Sequence, residues 1–526
     1  MLWIALHLPL LSLESFVATL RHETRSPEAE PPLALMDARC IVSANPAAQA
    51  LGVKPGLKRA TALALAPQLV LGQANPAHDA QALLAVAHAA LAFTPGVVAQ
   101  PASDPAAAAD TVLLDVQRSL RYFGGLEALL RRLHDALAPL GHRVHTASAP
   151  TAQGAALLAR VHRQLHCADL DRLRSQLDAA PVWLLGPGRE HWEALQGMGL
   201  RTVGDLRRLP RAGLARRFGE ALLDELDRAL GLRPDPREPI TLAPSFESRL
   251  ELFTRADTTE QVLFGAAVLL ERLVAWLSAQ HAFVRRFTLV MQHEARRRSD
   301  VESPADTRLD IALGEPSRDA AHLAVLLRER LAALTLPAPT LDLQLHASDI
   351  ARRAPPNAEL FPTPGSEREG LTRLIERLQA RLGPEQVQRL VRVQDHRPER
   401  GSALQTAEPG SGGWSRPAQG MARLDKPANG PSLPAPGPRS SCPVWLLHPP
   451  QPLPERQSRP VLAGQALQLL SGPERIEAGW WDAGLAERDY FIAQTPEGAL
   501  VWIYRARLPL SAAAGDPGWF LQGRFA

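Results

Sequence analysis

Apolar residues recur along this chain in two rhythms. Residues 2–8 (LWIALHL) form a continuous apolar run with the length of a buried strand, ended by Pro9. Short apolar runs broken by turn signals follow, among them Ile41-Val42 and Gly52-Val53 ahead of Lys54-Pro55-Gly56. Residues 78–92 repeat at helical spacing, residues 111–116 (TVLLDV) read as a second buried strand, and Gly124-Gly125 precede an amphipathic helix over 126–137. Mixed elements of this kind predict an α/β or α+β core, and the chain as a whole reads as multidomain α+β.

Residues 182–232 are helical in pattern, with Gly197-Met198-Gly199 between two short helices. The rhythm then changes. Strands at 247–253, 284–291, 308–313 and 341–346 and helices at 259–279 and 318–334 fall in the order βαββαβ, a separate small sheet with two helices on one face. Ser366 and Glu369 have capping-box spacing ahead of Leu371, Leu374, Ile375, Leu378 and Leu382, which predicts one more helix. Residues 400–442, rich in Gly, Pro, Ser and Ala and without periodicity, read as a flexible linker. Residues 443–526 hold five of the ten tryptophans in short strand-like surroundings and read as a small β-rich module.

Composition narrows the classes. At 526 residues the chain holds several compact units. Its 58 basic residues against 55 acidic ones leave a formal charge of only +3, so net charge by itself does not argue for nucleic acid. Only Lys54, Lys58 and Lys426 are lysines; arginine suits phosphate contacts, and a GC-rich genome gives the same skew. Cys40, Cys167 and Cys442 are too far apart for a zinc signature or a disulfide framework, which fits a reducing compartment. His162 and His166 beside Cys167 lack a carboxylate, so no metal and no cofactor is expected. No uninterrupted apolar run reaches the roughly 18 residues of a membrane span, and the apolar start lacks a basic leader; a cytoplasmic location without membrane contact is expected. No P-loop, dinucleotide fingerprint or nucleophile elbow is present.

Three blocks in the first 160 residues carry a resemblance. They are the strand Ala5-Leu6-His7-Leu8, residues 39–70 (RCIVSANPAAQALGVKPGLKRATALALAPQLV), and residues 113–125 (LLDVQRSLRYFGG). In order and spacing they are similar to the palm and fingers of Y-family DNA polymerases. The ending (SGPERIEAGWW, RDYF and GWFLQGRFA) resembles the C-terminal region of an inactive, accessory branch of that family. The resemblance implies a palm over 1–20 and 75–165, fingers over 21–74, a thumb with a helix-hairpin-helix over 166–240 and a little finger over 244–350. A clamp-motif loop and helix over 351–399, the linker over 400–442 and the C-terminal interaction module over 443–526 complete it.

Polymerase chemistry on this fold needs two Mg²⁺-like ions about 4 Å apart, held by carboxylates on adjacent palm strands. Where the family has D-x-D, this chain has Pro9-Leu10-Leu11; where it has a D-E pair, Asp110-Thr111. The triphosphate-holding N-Y-E-A-R stretch is Asn45-Pro46-Ala47-Ala48-Gln49, and A-P-N-K is Ala149-Pro150-Thr151-Ala152. These groups all serve one polyanionic substrate, and their joint loss implies a non-catalytic polymerase homologue. A weakly active translesion polymerase relying on Asp110 stays open, as does a protein-only scaffold.

Binding then falls to surfaces. Gly197 and Gly199 suit a turn that offers N–H groups to a DNA phosphate, beside Arg201, Arg207, Arg208, Arg211, Arg216 and Arg217; a merely solvated helical face is the alternative. Arg285 and Arg286 on a little-finger strand, and Arg296 to Arg298 in a loop, are further DNA candidates. Strand alternation allows only one of Arg285 and Arg286 to face DNA. Asn357, Leu360 and Phe361, among prolines, resemble a sliding-clamp motif with Asn in place of Gln; a local packing hairpin is the alternative. The resemblance implies an adaptor for SOS-induced translesion synthesis at the nucleoid after DNA damage. Its partners would be primer-template DNA, the β sliding clamp, the RecA-like protein ImuA and an error-prone C-family DNA polymerase.

Overall fold

Leu6 and its neighbours explain the architecture of the first 166 residues. In strand β1 (Trp3–Leu8), Ile4, Leu6 and Leu8 point to one face and Ala5 and His7 to the other, and all five are buried. A strand apolar on both faces must be covered on both. The structure, a computed structural model, describes residues 1–20, 31–100, 110–294, 305–352, 364–408, 443–482, 484–507 and 518–525. It divides into two units, 1–381 and 382–526.

After β1 and helix α1 (Leu11–Val17) come β2 (Leu33–Met36), β3 (Ile41–Ala44), α2 (Pro46–Ala50), α3 (Arg59–Leu65) and β4 (Val70–Gln73). They form a fingers-like lobe with strand order β3-β2-β4. Next are α4 (Pro76–Leu91), β5 (Val97–Gln100), β6 (Asp110–Asp115), α5 (Leu120–Phe123), α6 (Leu126–Leu137), β7 (His145–Ala149), α7 (Ala152–Val161) and β8 (Gln164–His166). The palm-like sheet runs β5-β6-β1-β7-β8. Ile4, Leu6, Leu8, Val112 and Leu114 pack with Leu83 and Val86 of α4 and Leu129, Leu130 and Leu133 of α6. On the opposite face Ala5, Leu113, Ala147 and Ala149 meet Ala155, Ala156 and Leu158 of α7. Small side chains on both partners let α7 lie close to the sheet.

The thumb-like region is helical: α8 (Leu170–Ala179), α9 (Gly186–Glu190), α10 (Trp192–Gly197), α11 (Val203–Arg207), α12 (Arg211–Phe218) and α13 (Glu220–Leu230). The little-finger-like region follows as β9 (Phe246–Ala256), α14 (Thr259–Ala279), β10 (Phe283–His293), β11 (Asp306–Ser317), α15 (Ala320–Ala332) and β12 (Thr340–Ala351). This is the βαββαβ order that the pattern predicts, in a sheet ordered β11-β10-β12-β9. A capping box of Thr258 and Gln261 starts α14. By composition α14 is long and apolar enough to cross a membrane, and Leu269, Leu270, Leu273, Trp276 and Leu277 are buried in the core under the sheet. Helix α16 (Pro364–Leu382) follows; the side chains of Ser366 and Glu369 lie outside the described ones.

The second unit starts earlier than the expected module at 443. Strands β13 (Gln388–Arg392) and β14 (Ser402–Thr406) pair as a hairpin, and β14 lies inside the stretch expected to be linker. Beyond it are β15 (Trp445–Leu453), a three-stranded sheet of β16 (Glu455–Arg456), β17 (Arg459–Leu462) and β18 (Gln465–Ala466), then β19 (Gln468–Ala478), β20 (Ala486–Gln494), β21 (Leu500–Ala506) and β22 (Trp519–Arg524). The large sheet is ordered β15-β22-β21-β20-β19. The reason for the early start is ionic. Arg397 donates to Asp395 at 2.6 Å and to both oxygens of Asp482 at 2.8 and 2.7 Å, and its side chain is only 3% exposed. Glu399 accepts from Arg488 at 2.9 Å and from Gln522 at 2.8 Å, and Gln522 in turn accepts from the Tyr490 hydroxyl at 2.6 Å. Residues 395–400 therefore complete the polar core of a sheet built from residues 443–525.

A fragment of residues 382–526 is expected to unfold cooperatively, whereas 443–526 strips Arg488 and Asp482 of their ion-pair partners and the Gln522 amide of its carboxylate acceptor, and lacks a cooperative transition; circular dichroism melts of both check this. The Arg397 guanidinium holds the Asp395 carboxyl down at about 2 against its usual 3.8, and that of Asp482 lower still. A depressed carboxyl contributes stability above its unfolded value and loses it as pH falls through the folded one. The melting temperature of 382–526 is therefore expected to fall between about pH 4 and 2.

Candidate functional site

In the palm, the end of the sheet where β1 finishes is the place at which the family resemblance puts two metals. Register sets His7 opposite Thr111 on one side and His145 on the other, and sets Leu8 opposite Asp110. His7 is 4% exposed; its Nδ1 lies 3.4 Å from Thr111 Oγ1, and its ring centroid is 6.0 Å from that of His145. Burial first, then the charges of Arg163 and Arg143, hold the His145 imidazole below its usual value. Leu11 is not on the strand at all: it opens α1 and is fully buried in the apolar core with Leu8, while Pro9 is half-buried in the turn between. Asp110 keeps a backbone place opposite Leu8, and its side chain lies outside the described ones.

The side chains described at this place, among which that of Asp110 is not, do not fit a pair of Mg²⁺ ions. Hard cations take oxygen ligands, and here the described side chains are two imidazoles, a buried hydroxyl and apolar groups. Among the described residues no three His, Cys, Asp or Glu side chains cluster as a metal site. His166 beside Cys167 instead sits 3.1 Å from Ser148 Oγ.

The positions matched to the triphosphate clamp are occupied with holding the fold. Asn45 caps α2: its Oδ1 accepts from Ala48 N at 2.9 Å and Leu33 N at 3.0 Å, and its Nδ2 donates to Pro31 O at 2.8 Å. Gln49 Nε2 donates to Ala44 O at 2.7 Å. Thr151 caps α7, and its hydroxyl donates to Ala229 O at 2.7 Å, tying palm to thumb. Ala152, in the place matched to the lysine, is buried in that junction.

In the thumb the glycine turn differs from expectation. Gly197 ends α10, and Gly199 adopts a φ of +79° that favours glycine. The N–H groups of Met198, Gly199 and Leu200 donate back to Leu195, Gln196 and Leu195 carbonyls, so the turn consumes the donors expected for a phosphate. The arginines beside it are all exposed, but not equivalent. Arg207 pairs with Asp178, Arg208 with Asp205 and Arg211 with Asp227. Arg201, Arg216 and Arg217 show no acidic partner among the described residues; Arg217 lies 5.7 Å over the Phe218 ring. A cationic surface survives here, smaller than a count of arginines suggests.

Arg285 and Arg286 also depart from simple alternation. Register shifts between Val284 and Arg286 in the pairings of β10 with both neighbours, a bulge that leaves both arginines exposed. Below them the open face of this sheet is acidic. Its cross-strand rows run Glu247, His346, Thr288, Asp310; then Arg249, Gln344, Val290, Arg308; then Glu251, Asp342, Gln292, Asp306. Arg249 is held by Asp342 at 2.6 Å and Arg308 by Asp306 at 3.2 Å. In these rows both arginines, Arg249 and Arg308, are paired. Arg296 to Arg298 and the clamp candidates Asn357, Leu360 and Phe361 lie outside the described residues.

The sequence profile of the impB/mucB/samB family matches residues 11–160. Two curated proteins of Caulobacter vibrioides, from strains NA1000 / CB15N and ATCC 19089 / CIP 103742 / CB 15, are each named Protein ImuB. Each is 30% identical over 487 residues, covering 90% of this chain and all of the relative. Among solved structures, DinB from Sulfolobus solfataricus is 17% identical, with a TM-score of 0.37 over 67% of this chain and 100% of the other. A ternary complex of Dbh is 17% identical, with a TM-score of 0.36 over 66% and 99%.

Asn45→Ala removes a helix cap and two further hydrogen bonds, and is expected to cost about 1–2 kcal/mol in urea unfolding while leaving primer-template affinity unchanged. A loss of DNA affinity without a loss of stability would reverse that assignment.

Proposed function

The chain belongs to the ImuB family, and from that premise we propose that it is a non-catalytic, polymerase-like adaptor of DNA-damage tolerance. On this reading it binds primer-template DNA and recruits partners that carry out synthesis. The observation that carries the proposal is the palm end: Leu8 and Leu11 belong to an apolar core, and His7 is engaged with Thr111 where an active enzyme needs oxygen ligands. DNA contact rests on Arg201, Arg216 and Arg217 in the thumb, with Arg285 and Arg286 at the little-finger bulge as a second patch. Such contacts meet phosphates, so binding would be weakly sequence-specific and salt-sensitive.

The partners are the β sliding clamp, through Asn357, Leu360 and Phe361, the RecA-like protein ImuA and an error-prone C-family polymerase, in SOS-induced translesion synthesis. A residual polymerase is the second reading, because Asp110 retains its strand position opposite Leu8.

Purified protein is expected to give no primer extension with Mg²⁺ or Mn²⁺; extension that Asp110→Ala abolishes would establish the second reading instead. The double substitution Arg216→Glu/Arg217→Glu is expected to weaken primer-template binding about ten-fold or more and to flatten the salt dependence, each lost phosphate contact reducing the slope by about 0.9. Arg208→Ala, which removes an already paired charge, has the smaller effect in the same fluorescence anisotropy titration. Leu360→Ala/Phe361→Ala is expected to abolish clamp capture by surface plasmon resonance, and unchanged capture moves the clamp contact elsewhere.

A further inference from the structure

Between the palm and the little finger lies a cavity of about 310 Å³. Ala85 of α4 and Leu140 wall it on the palm side, and Phe264 and Val268 of α14 wall it on the other. Several polar groups also line it. Glu14 and His142 answer one another, His142 Nδ1 lying 3.4 Å from Glu14, whose carboxylate also accepts from the N–H of Arg143 at 3.0 Å.

Two other lining groups have no such match. Arg272, 5% exposed, donates Nη1 to Ser248 Oγ at 3.2 Å and to Arg249 O at 3.3 Å, and meets no carboxylate among the described residues. Half-buried Glu271 meets no cation among them. Burial pushes the Glu271 carboxyl up and holds Arg272 down at about 10, the mark of charges removed from water without compensation. Consecutive helix residues do not face each other, so these two cannot neutralise one another. Buried charge is costly unless it is paired. A ligand with one charge of each sign would pair both.

We propose that this cavity binds a small apolar α-amino acid, its carboxylate on Arg272, its ammonium on Glu271 and its side chain against Phe264 and Leu140. The site goes beyond the adaptor reading and does not depend on it. It bridges α4 and α14, so occupancy braces the little finger against the palm.

Isothermal titration of the full chain with L-leucine is the test, beside 4-methylpentanoate, which lacks the ammonium, and 3-methylbutylamine, which lacks the carboxylate. L-leucine is expected to bind saturably at one site, and each analogue about ten-fold more weakly or worse. Glu271→Gln should weaken L-leucine about ten-fold and leave 4-methylpentanoate unchanged. Ala267→Phe, at an exposed lining position, should fill the cavity and remove binding without unfolding the chain. No heat with L-leucine, equal heats from all three compounds, or indifference to Glu271→Gln each overturns the proposal. Primer-template affinity measured on the same variants stays at the wild-type level, which keeps this test separate from the adaptor reading.

Discussion

A strand with apolar cores on both faces has almost nowhere to place a charge, and β1 is such a strand. It sits at the centre of the palm-like sheet, between β6 and β7, and contributes to both cores of the palm. The fingers lobe follows directly from its C-terminal turn through α1, and α7, packed on its alanine face, is tied to the thumb through Thr151. Apolar and neutral groups at the strand end strengthen this hub. Leu8 and Leu11 add to the core, and His7 answers a cross-strand hydroxyl. The cationic surface that remains is displaced outward, onto thumb helices and a strand bulge that the hub positions without participating.

The second unit solves a different problem. Its large sheet has a modest apolar core, centred on Leu453, Ala493, Val501, Ile503, Trp519 and Leu521. On the other face Tyr490 stacks on Trp502 with ring centroids 4.2 Å apart. Arg397 and Glu399 supply the remaining specificity, because each is engaged by residues more than eighty positions later. Hydrogen-bonded charges of this kind select one arrangement among many compact ones, since a mismatched partner leaves a charge uncompensated. Residues 388–408 and 443–525 thus belong to one folded unit.

Element order was legible in the sequence wherever periodicity was long. The 21 residues of α14 and the strands around it are an example, because capping residues and apolar spacing are local properties. Two strands of the palm-like sheet, β1 and β6, were legible too, as runs buried on both faces, whereas β5, β7 and β8 were not read. Register was not: nothing in residues 5–11 states that His7, rather than Pro9 or Leu11, lies opposite Thr111. The bulge beside Arg285 hid for the same reason, since alternation presumes an unbroken ladder. The thumb was misjudged by counting charges, because Asp178 and Asp227, which neutralise Arg207 and Arg211, lie outside the window in which the arginines cluster. The start of the second unit was missed because its defining ion pairs span a segment of low complexity.

The burial of Leu11 also has a chemical consequence. Leu11 is part of the apolar packing between the palm-like sheet and its helices. A carboxylate at that position would be stripped of water at a cost of several kcal/mol before any metal arrived to offset it. Each further apolar contact acquired around the leucine deepens that cost. This corner of the fold therefore resists a charge whatever the protein binds elsewhere.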